Sequence, residues 1–338
     1  MSSDRKPLLW VGILAAFVAG FAAALVYSGQ LSQQASEPLA PQLPTKVGQG
    51  ALKCLSVEKP IADQFGNNHD PVYLPGNGEG AFEHYLVIGH EEGIQHLYGS
   101  NSLGPNGSDW TLITDDLFVS EYHELDDGLL IDGVYYIFKD GKIFTYSGDI
   151  AKSSRQWQIT GTTPNYLRDI GVYRDGDTIH IYGEYGDFEF GYDGLSLGYI
   201  KTDTSFADFE LVSTKIIDPN TKLGGQWGIG DPTIFVSETK VYVAADLEGK
   251  DIPYRVSLWE SSSFEKPFSF AGILAQADPP SAKSYKNHRV QDAEFVPAGE
   301  GTILMFANWR DEDGDPGKAL PKFSEDWTRV VGGYTCRL

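Results

Sequence analysis

The sequence predicts an all-β fold, a five-bladed β-propeller preceded by a single N-terminal transmembrane helix and a flexible stalk. Three observations carry that expectation. One strand-turn-strand layout recurs five times, the recurrences are spaced at blade length, and the composition favours strands and turns over helices. Aromatic residues make up 13% of the 338 residues, with 38 Gly and 18 Pro, a mixture suited to pleated strands joined by tight turns.

The five recurrences are HDPVYL from His69, HELDDGLLI from His123, RDIGVY from Arg168, GDPTIFV from Gly230 and QDAEFV from Gln291. Each opens on an acidic residue: Asp70, Glu124, Asp169, Asp231 and Asp292, separated in turn by 54, 45, 62 and 61 residues. Second strands follow at YLVIG (Tyr85), VYYIF (Val134), IHIYG (Ile179), VYVAA (Val241) and ILMFA (Ile303). Third strands follow at Ile94, Lys142, Leu195 and Tyr254, and each unit closes on an aromatic, at Trp110, Trp157, Phe209, Phe268 and Trp327. Turn residues such as Asp140-Gly141 and Asp175-Gly176 separate them. Four short antiparallel strands cannot bury their apolar faces alone, so five such units must pack around an axis. A sandwich would not repeat one motif five times. No amphipathic helix is expected after the N-terminal segment.

Ahead of the repeats, Arg5 and Lys6 precede an apolar run from Pro7 to Tyr27. That run is long enough to cross a hydrocarbon core of about 30 Å, and the flanking basic residues orient it with the N-terminus in the cytoplasm. The run exceeds the apolar core of an ordinary signal peptide, so residues 1–27 read as a cytoplasmic start and retained anchor, with a cleaved signal peptide as the alternative. Residues 28–50, rich in Gln, Ser and Pro, read as a solvated stalk, and residues 51–338 as the propeller. Localisation is then membrane-anchored with the globular part outside the cytoplasm, at a cell surface or in a periplasm. Export permits a disulfide, and Cys54 and Cys336, the only two cysteines, stand at either end of the repeats. A bond between them would clasp the ring.

The formal net charge of −21 repels phosphate backbones and excludes nucleic acid as a partner. Zinc-ligand spacings, HExxH and the phosphate-cradling GxxxxGK[ST] are absent, which removes the chemistries those motifs carry. What remains is the acidic residue that opens each innermost strand. In a propeller those positions meet at one axial mouth, where repulsion and desolvation raise some carboxyl pKa values and leave others anionic. An Asp at a strand start also caps backbone amides, so each position carries a structural reading beside the chemical one. That structural reading weighs most for Glu124 and Asp292.

HDPVY, LRDIGVY and IGDPTIF, in that order and spacing, resemble the clan of five-bladed propeller glycoside hydrolases that includes families 43, 62, 32, 68 and 117. The resemblance runs from about Asp63 to the C-terminus. It implies a carbohydrate substrate, with Asp70 as base or nucleophile. Asp169, preceded by Arg168, orients the sugar and tunes the acid. It also implies an acid glutamate two positions before a proline, where this chain has Gly230 ahead of Asp231-Pro232. Asp231, Glu184 and Glu294 are the substitutes. Arg168, Trp227, Tyr285, His288 and Trp309 are candidate substrate-binding residues, the aromatics by stacking on sugar faces, and His288-Arg289 could reach the channel. The reaction requires no cofactor; calcium suits the carboxylates as a structural ion, and the metal ligands are left unassigned. The alternative is a non-catalytic, surface-displayed propeller that binds glycans or a protein.

Overall fold

The computed structural model describes residues 53–56, 61, 68–90, 93–118, 125–186, 196–224, 227–237, 239–249, 252–276, 289–299, 302–311 and 328–337. The expected anchor and stalk, residues 1–50, lie outside these. Among the described residues no helix is long and apolar enough to cross a membrane.

Among the described residues, twenty strands form five four-stranded antiparallel sheets. Blade 1 is β2 (Asn68–Pro75), β3 (His84–His90), β4 (Gln95–Ser100) and β5 (Thr111–Thr114); blade 2 is β6 (Asp127–Ile131), β7 (Val134–Lys139), β8 (Lys142–Ser147) and β9 (Gln158–Thr162). Blade 3 is β10 (Arg168–Asp175), β11 (Thr178–Tyr185), β12 (Ser196–Asp203) and β13 (Glu210–Ile217). Blade 4 is β14 (Trp227–Ser237), β15 (Lys240–Gly249), β16 (Ile252–Ser261) and β17 (Ser269–Gln276). Blade 5 is β18 (Arg289–Gly299), β19 (Thr302–Asp311), β20 (Thr328–Arg337) and, as its outermost strand, β1 (Lys53–Ser56). The sequence expectation put the segment at Trp327 fourth in that blade. It is third, and the chain's N-terminal strand completes the sheet.

Local chemistry sets the hairpins. Asp132-Gly133 and Asp140-Gly141 all take positive φ and each pair joins two strands through a two-residue turn, Ile131 facing Val134 and Lys139 facing Lys142. Those are the turns whose twist matches paired strands. Among the described residues, the short helix α1 (Pro219–Leu223) departs from the all-strand expectation. Asp218 Oδ1 caps it, accepting from Asn220 N–H at 3.1 Å and Thr221 N–H at 3.2 Å.

The sheets close a ring: β2 touches β6, β6 touches β10, β10 touches β14, β14 touches β18, and β18 returns to β2. Core residues divide accordingly, one cluster at each seam. Tyr85 and Val72 meet Tyr135 and Phe144 between blades 1 and 2, and Phe138 and Ile131 meet Ile170 and Ile179 between blades 2 and 3. Tyr182 and Tyr199 meet Trp227 and Trp259 between blades 3 and 4. Phe235 meets Phe295 and Met305 between blades 4 and 5, and Phe306 meets Tyr98 and Trp110 between blades 5 and 1. A blade is therefore stable only as a member of the circle.

The circle is fastened by covalent chemistry. Cys54 on β1 is the register partner of Cys336 on β20, and the two form a disulfide across 282 residues of sequence. Closing so long a loop restricts the unfolded chain strongly. Denatured, unreduced protein should show no titratable thiol. Cys336→Ser should lower stability by roughly 2–5 kcal/mol, read as a drop in melting temperature that reductant reproduces in the wild type and not in the variant.

Candidate active site

Four of the five innermost strands carry the same irregularity. Asp70, Asp169, Asp231 and Asp292 have φ of 45°, 41°, 44° and 52°, and at each the register with the second strand shifts by a bulge: between His69 and Pro71, Arg168 and Gly171, Gly230 and Thr233, and Gln291 and Glu294. A non-glycine residue in the left-handed region costs on the order of 1 kcal/mol, and Asp accepts it more readily than most. A bulge re-aims the side chain it carries, and the four aspartates converge on one pocket. Its lining comprises Asp70, Asp126, Asp169, Asp231, Asp292 and Glu294, with Pro71, Leu125, Pro232, Thr233 and Ala293.

The carboxylates are not equivalent. Asp70 Oδ2 accepts from His69 Nδ1 at 2.5 Å and from Leu125 N–H at 3.3 Å. Burial pushes its carboxyl up, but His69, a hydrogen bond with Asp292 and the Leu125 amide together hold it below the usual aspartate range. Asp231 goes the other way. Burial first, then the charges of Asp169, Asp292, Asp246 and Glu184, push it well above that range. One pocket thus holds two carboxyls whose proton affinities are pushed in opposite directions.

Deeper carboxylates tie blades together. Asp127 Oδ2 on β6 accepts from Val172 N–H of blade 3 at 2.6 Å. Asp246 on β15, 1% exposed, accepts from Asp292 N–H of blade 5, at 3.2 Å to each oxygen. Glu294 on β18 reaches two blades: Oε1 accepts from Tyr73 N–H of blade 1 at 3.3 Å, and Oε2 from the Thr233 hydroxyl of blade 4 at 3.1 Å. Burial and the Asp127 charge push Glu294 well above the usual glutamate range. Asp231, Asp246 and Asp292 place carboxylate oxygens within 4.8 Å of one another, an all-oxygen set that could hold a hard divalent cation.

The other sequence candidates fall in several places. Glu184 is half-buried on β11, with its carboxyl against Gly230. Arg168 is exposed at the start of β10, paired in register with Glu184. Trp227 does not face the pocket. It is fully buried between blades 3 and 4, its Nε1–H donating to Gly224 O at 2.9 Å, because an indole beginning β14 on the core face packs with Tyr182 and Trp259. Trp309 lies on β19, paired in register with Val290. Glu124, Tyr285 and His288 lie outside the described residues. Blade 2 offers Asp126 and Asp127 to the centre, for which the Asp-Asp doublet in HELDDGLLI was the available signal. Asp246, an acid amid the apolar run VYVAADL, and His69, directly before Asp70, were likewise legible and were not singled out.

No family model matches the sequence, and no curated protein is similar to it. Solved structures do match. The catalytic domain of the Coprinopsis cinerea family 62 α-L-arabinofuranosidase superposes with a TM-score of 0.57 at 12% identity, covering 85% of this chain and 96% of that one. The Podospora anserina α-L-arabinofuranosidase PaAbf62A gives 0.56 at 12% identity, covering 88% and 98%. The Bacillus halodurans xylan β-1,4-xylosidase gives 0.52 at 14% identity; the match covers 82% of this chain but 54% of the xylosidase. A family 43 glycoside hydrolase gives 0.54 at 11% identity. The fold is the five-bladed propeller of family 43 and 62 glycoside hydrolases.

Asp127 tests the electrostatics of this propeller. Burial pushes its carboxyl up to about 7, against the opposing hydrogen bonds from Val172 and Gly128. The folded-state value lies above the unfolded one, so the stability it contributes is complete below the ordinary value of 3.8 and is lost as pH rises through about 7. Asp127→Asn should flatten the fall in melting temperature between about pH 4 and pH 7 relative to wild type. Parallel pH profiles for the two proteins would refute the assignment.

Proposed function

We propose that the propeller is a glycoside hydrolase acting on an oligo- or polysaccharide outside the cytoplasm. The observation that carries this reading is the convergence of four strained, bulge-borne aspartates on one pocket, where Asp70 is kept anionic. Backbone strain repeated at four equivalent positions is a cost that packing alone does not require. In this reading Asp70 activates a water or attacks the anomeric carbon, and Asp169 orients the sugar. A protonated carboxyl on the opposite side, from Asp231, Glu184 or Glu294, serves the departing oxygen. The names of the superposed enzymes point to pentose-containing substrates, arabinofuranosides and xylans. The charge of −21 favours neutral sugars over uronic acids.

Carboxylates and water suffice for this chemistry, so no cofactor takes part; calcium held by Asp231, Asp246 and Asp292 would be structural. Export through the residue 7–27 segment, retained as an anchor, accords with the Cys54–Cys336 disulfide. A non-catalytic glycan-binding propeller is the second reading. The commitment of Asp127, Asp246 and Glu294 to backbone amides favours it, since those carboxylates serve the ring.

Asp70→Asn separates the two. The amide keeps an acceptor for the Leu125 amide, so the fold should survive with little change in melting temperature. Turnover of aryl arabinofuranosides and xylosides should fall by at least about 10³-fold. Wild-type turnover in this variant removes Asp70 from the chemistry. Glycan binding without hydrolysis by the wild type establishes the second reading.

A further inference from the structure

Five large apolar side chains are exposed among the described residues: Ile94, Ile159, Tyr166, Leu211 and Val236. Single exposed apolar residues are ordinary on a protein surface. Tyr166 differs from the rest by its ring and its place. It is the one aromatic of the five, 37% exposed, and it stands three residues before Asp169 of the pocket. Three residues reach at most about 10 Å, so its backbone lies at the edge of the pocket.

The local sequence holds the ring there. Residues 163–167 carry the chain from blade 2 to blade 3, with Thr163 N–H donating to Gly141 O at 3.1 Å and Leu167 N–H to Pro164 O at 3.2 Å. Leu167 then turns into the seam between the two blades, where it is buried. Gly198 makes room for it: a Cβ on that residue would come within 2.9 Å of Leu167 Cδ2 and 3.1 Å of Tyr185 Cβ. Tyr185, at the end of β11, is half-buried against the same cluster, and its ring meets that of Tyr166 at 6.3 Å and 66°. An inward leucine leaves the preceding tyrosine outward, and a second tyrosine braces it.

The inner strands give the pocket an uneven rim. β14 begins four residues before Asp231 and β18 three before Asp292, whereas β10 begins one before Asp169. At about 3.3 Å per residue, blades 4 and 5 extend roughly 7–10 Å further beyond their aspartates than blade 3 does. Among the described strands the low side is therefore blade 3, which carries Tyr166, Tyr185 and the exposed Arg168. A bound chain leaves the pocket most readily over that side.

Resting on the carbohydrate reading of the pocket above, we propose that Tyr166, braced by Tyr185, stacks on the sugar unit next to the one held among the aspartates. The ligand is then a neutral oligo- or polysaccharide gripped by two units, and not an isolated glycoside. A tyrosine ring suits this place because it offers an apolar face at a wet edge.

The test uses the full-length protein with methyl β-D-xyloside and methyl α-L-arabinofuranoside, and with the matching xylo- and arabino-oligosaccharides from disaccharide to pentasaccharide. The quantity compared is kcat/KM, or 1/Kd where the sugars bind uncleaved. Tyr166→Ala should lower the ratio of the oligosaccharide constant to the methyl glycoside constant by about 10-fold. Tyr166→Phe should keep the wild-type ratio, since the ring and not the hydroxyl makes the contact. An unchanged ratio in Tyr166→Ala, whether both constants hold or both fall together, overturns the assignment and leaves the reading of the pocket standing. Wild-type protein that neither cleaves nor binds any of these sugars overturns both.

Discussion

The inner ring depends on buried carboxylates of one blade accepting backbone N–H groups of another. Asp70 takes Leu125 of blade 2, Asp127 takes Val172 of blade 3, Asp246 takes Asp292 of blade 5, and Glu294 takes Tyr73 of blade 1. Innermost strands of a propeller face an axis and have no partner strand on that side, so their amides must find acceptors elsewhere or remain unsatisfied in a buried place. Carboxylates supply the strongest acceptors available to such donors. The acids in the channel are thus part of what holds the blades in a circle.

That solution has an electrostatic consequence which function can use. Acidic groups concentrated in one funnel repel one another, and burial strengthens the repulsion. Crowding and burial raise the proton affinity of Asp231 and Glu294, while His69 and the Leu125 amide hold Asp70 below its ordinary range. Fastening the ring and setting carboxyl groups apart in proton affinity are two results of the same crowding. The hydrolase reading proposed above calls for one carboxyl of low and one of high proton affinity, and the opposed shifts at Asp70 and Glu294 fall on side chains that also accept amides of neighbouring blades.

The blades were legible because their signal is local: alternating apolar residues, Asp-Gly turns and a recurring acid at each strand start. The aspartates at 70, 169, 231 and 292 share a conformation as well as a spacing, so the repeat that located them was structural in origin. Less legible was anything decided by which face of a strand meets which neighbour. Trp227, placed by sequence beside an inner strand, packs in the seam between blades 3 and 4. The fourth strand of blade 5 comes from the other end of the chain; the two cysteines marked the meeting of the termini but not the strand exchange. Asp127 and Asp246 were missed because their roles lie in amides far away along the chain, at Val172 and Asp292.

Position 230 shows how far residue-by-residue reading can be carried. Along the chain, a glycine where a glutamate is sought looks like a lost group. In space the same glycine lies at the blade 3–4 seam, where the Glu184 carboxyl occupies the place of its side chain. There Gly171 lies against the Pro232 carbonyl so closely that a Cβ would overlap it. Two glycines, one on each side of the seam, let the backbones and a carboxyl approach more closely than any larger residue would permit. Blade packing at this seam therefore bears directly on how near the Glu184 carboxyl stands to Asp231. The absent side chain and the carboxyl that fills its place are one arrangement, built from residues 46 positions apart.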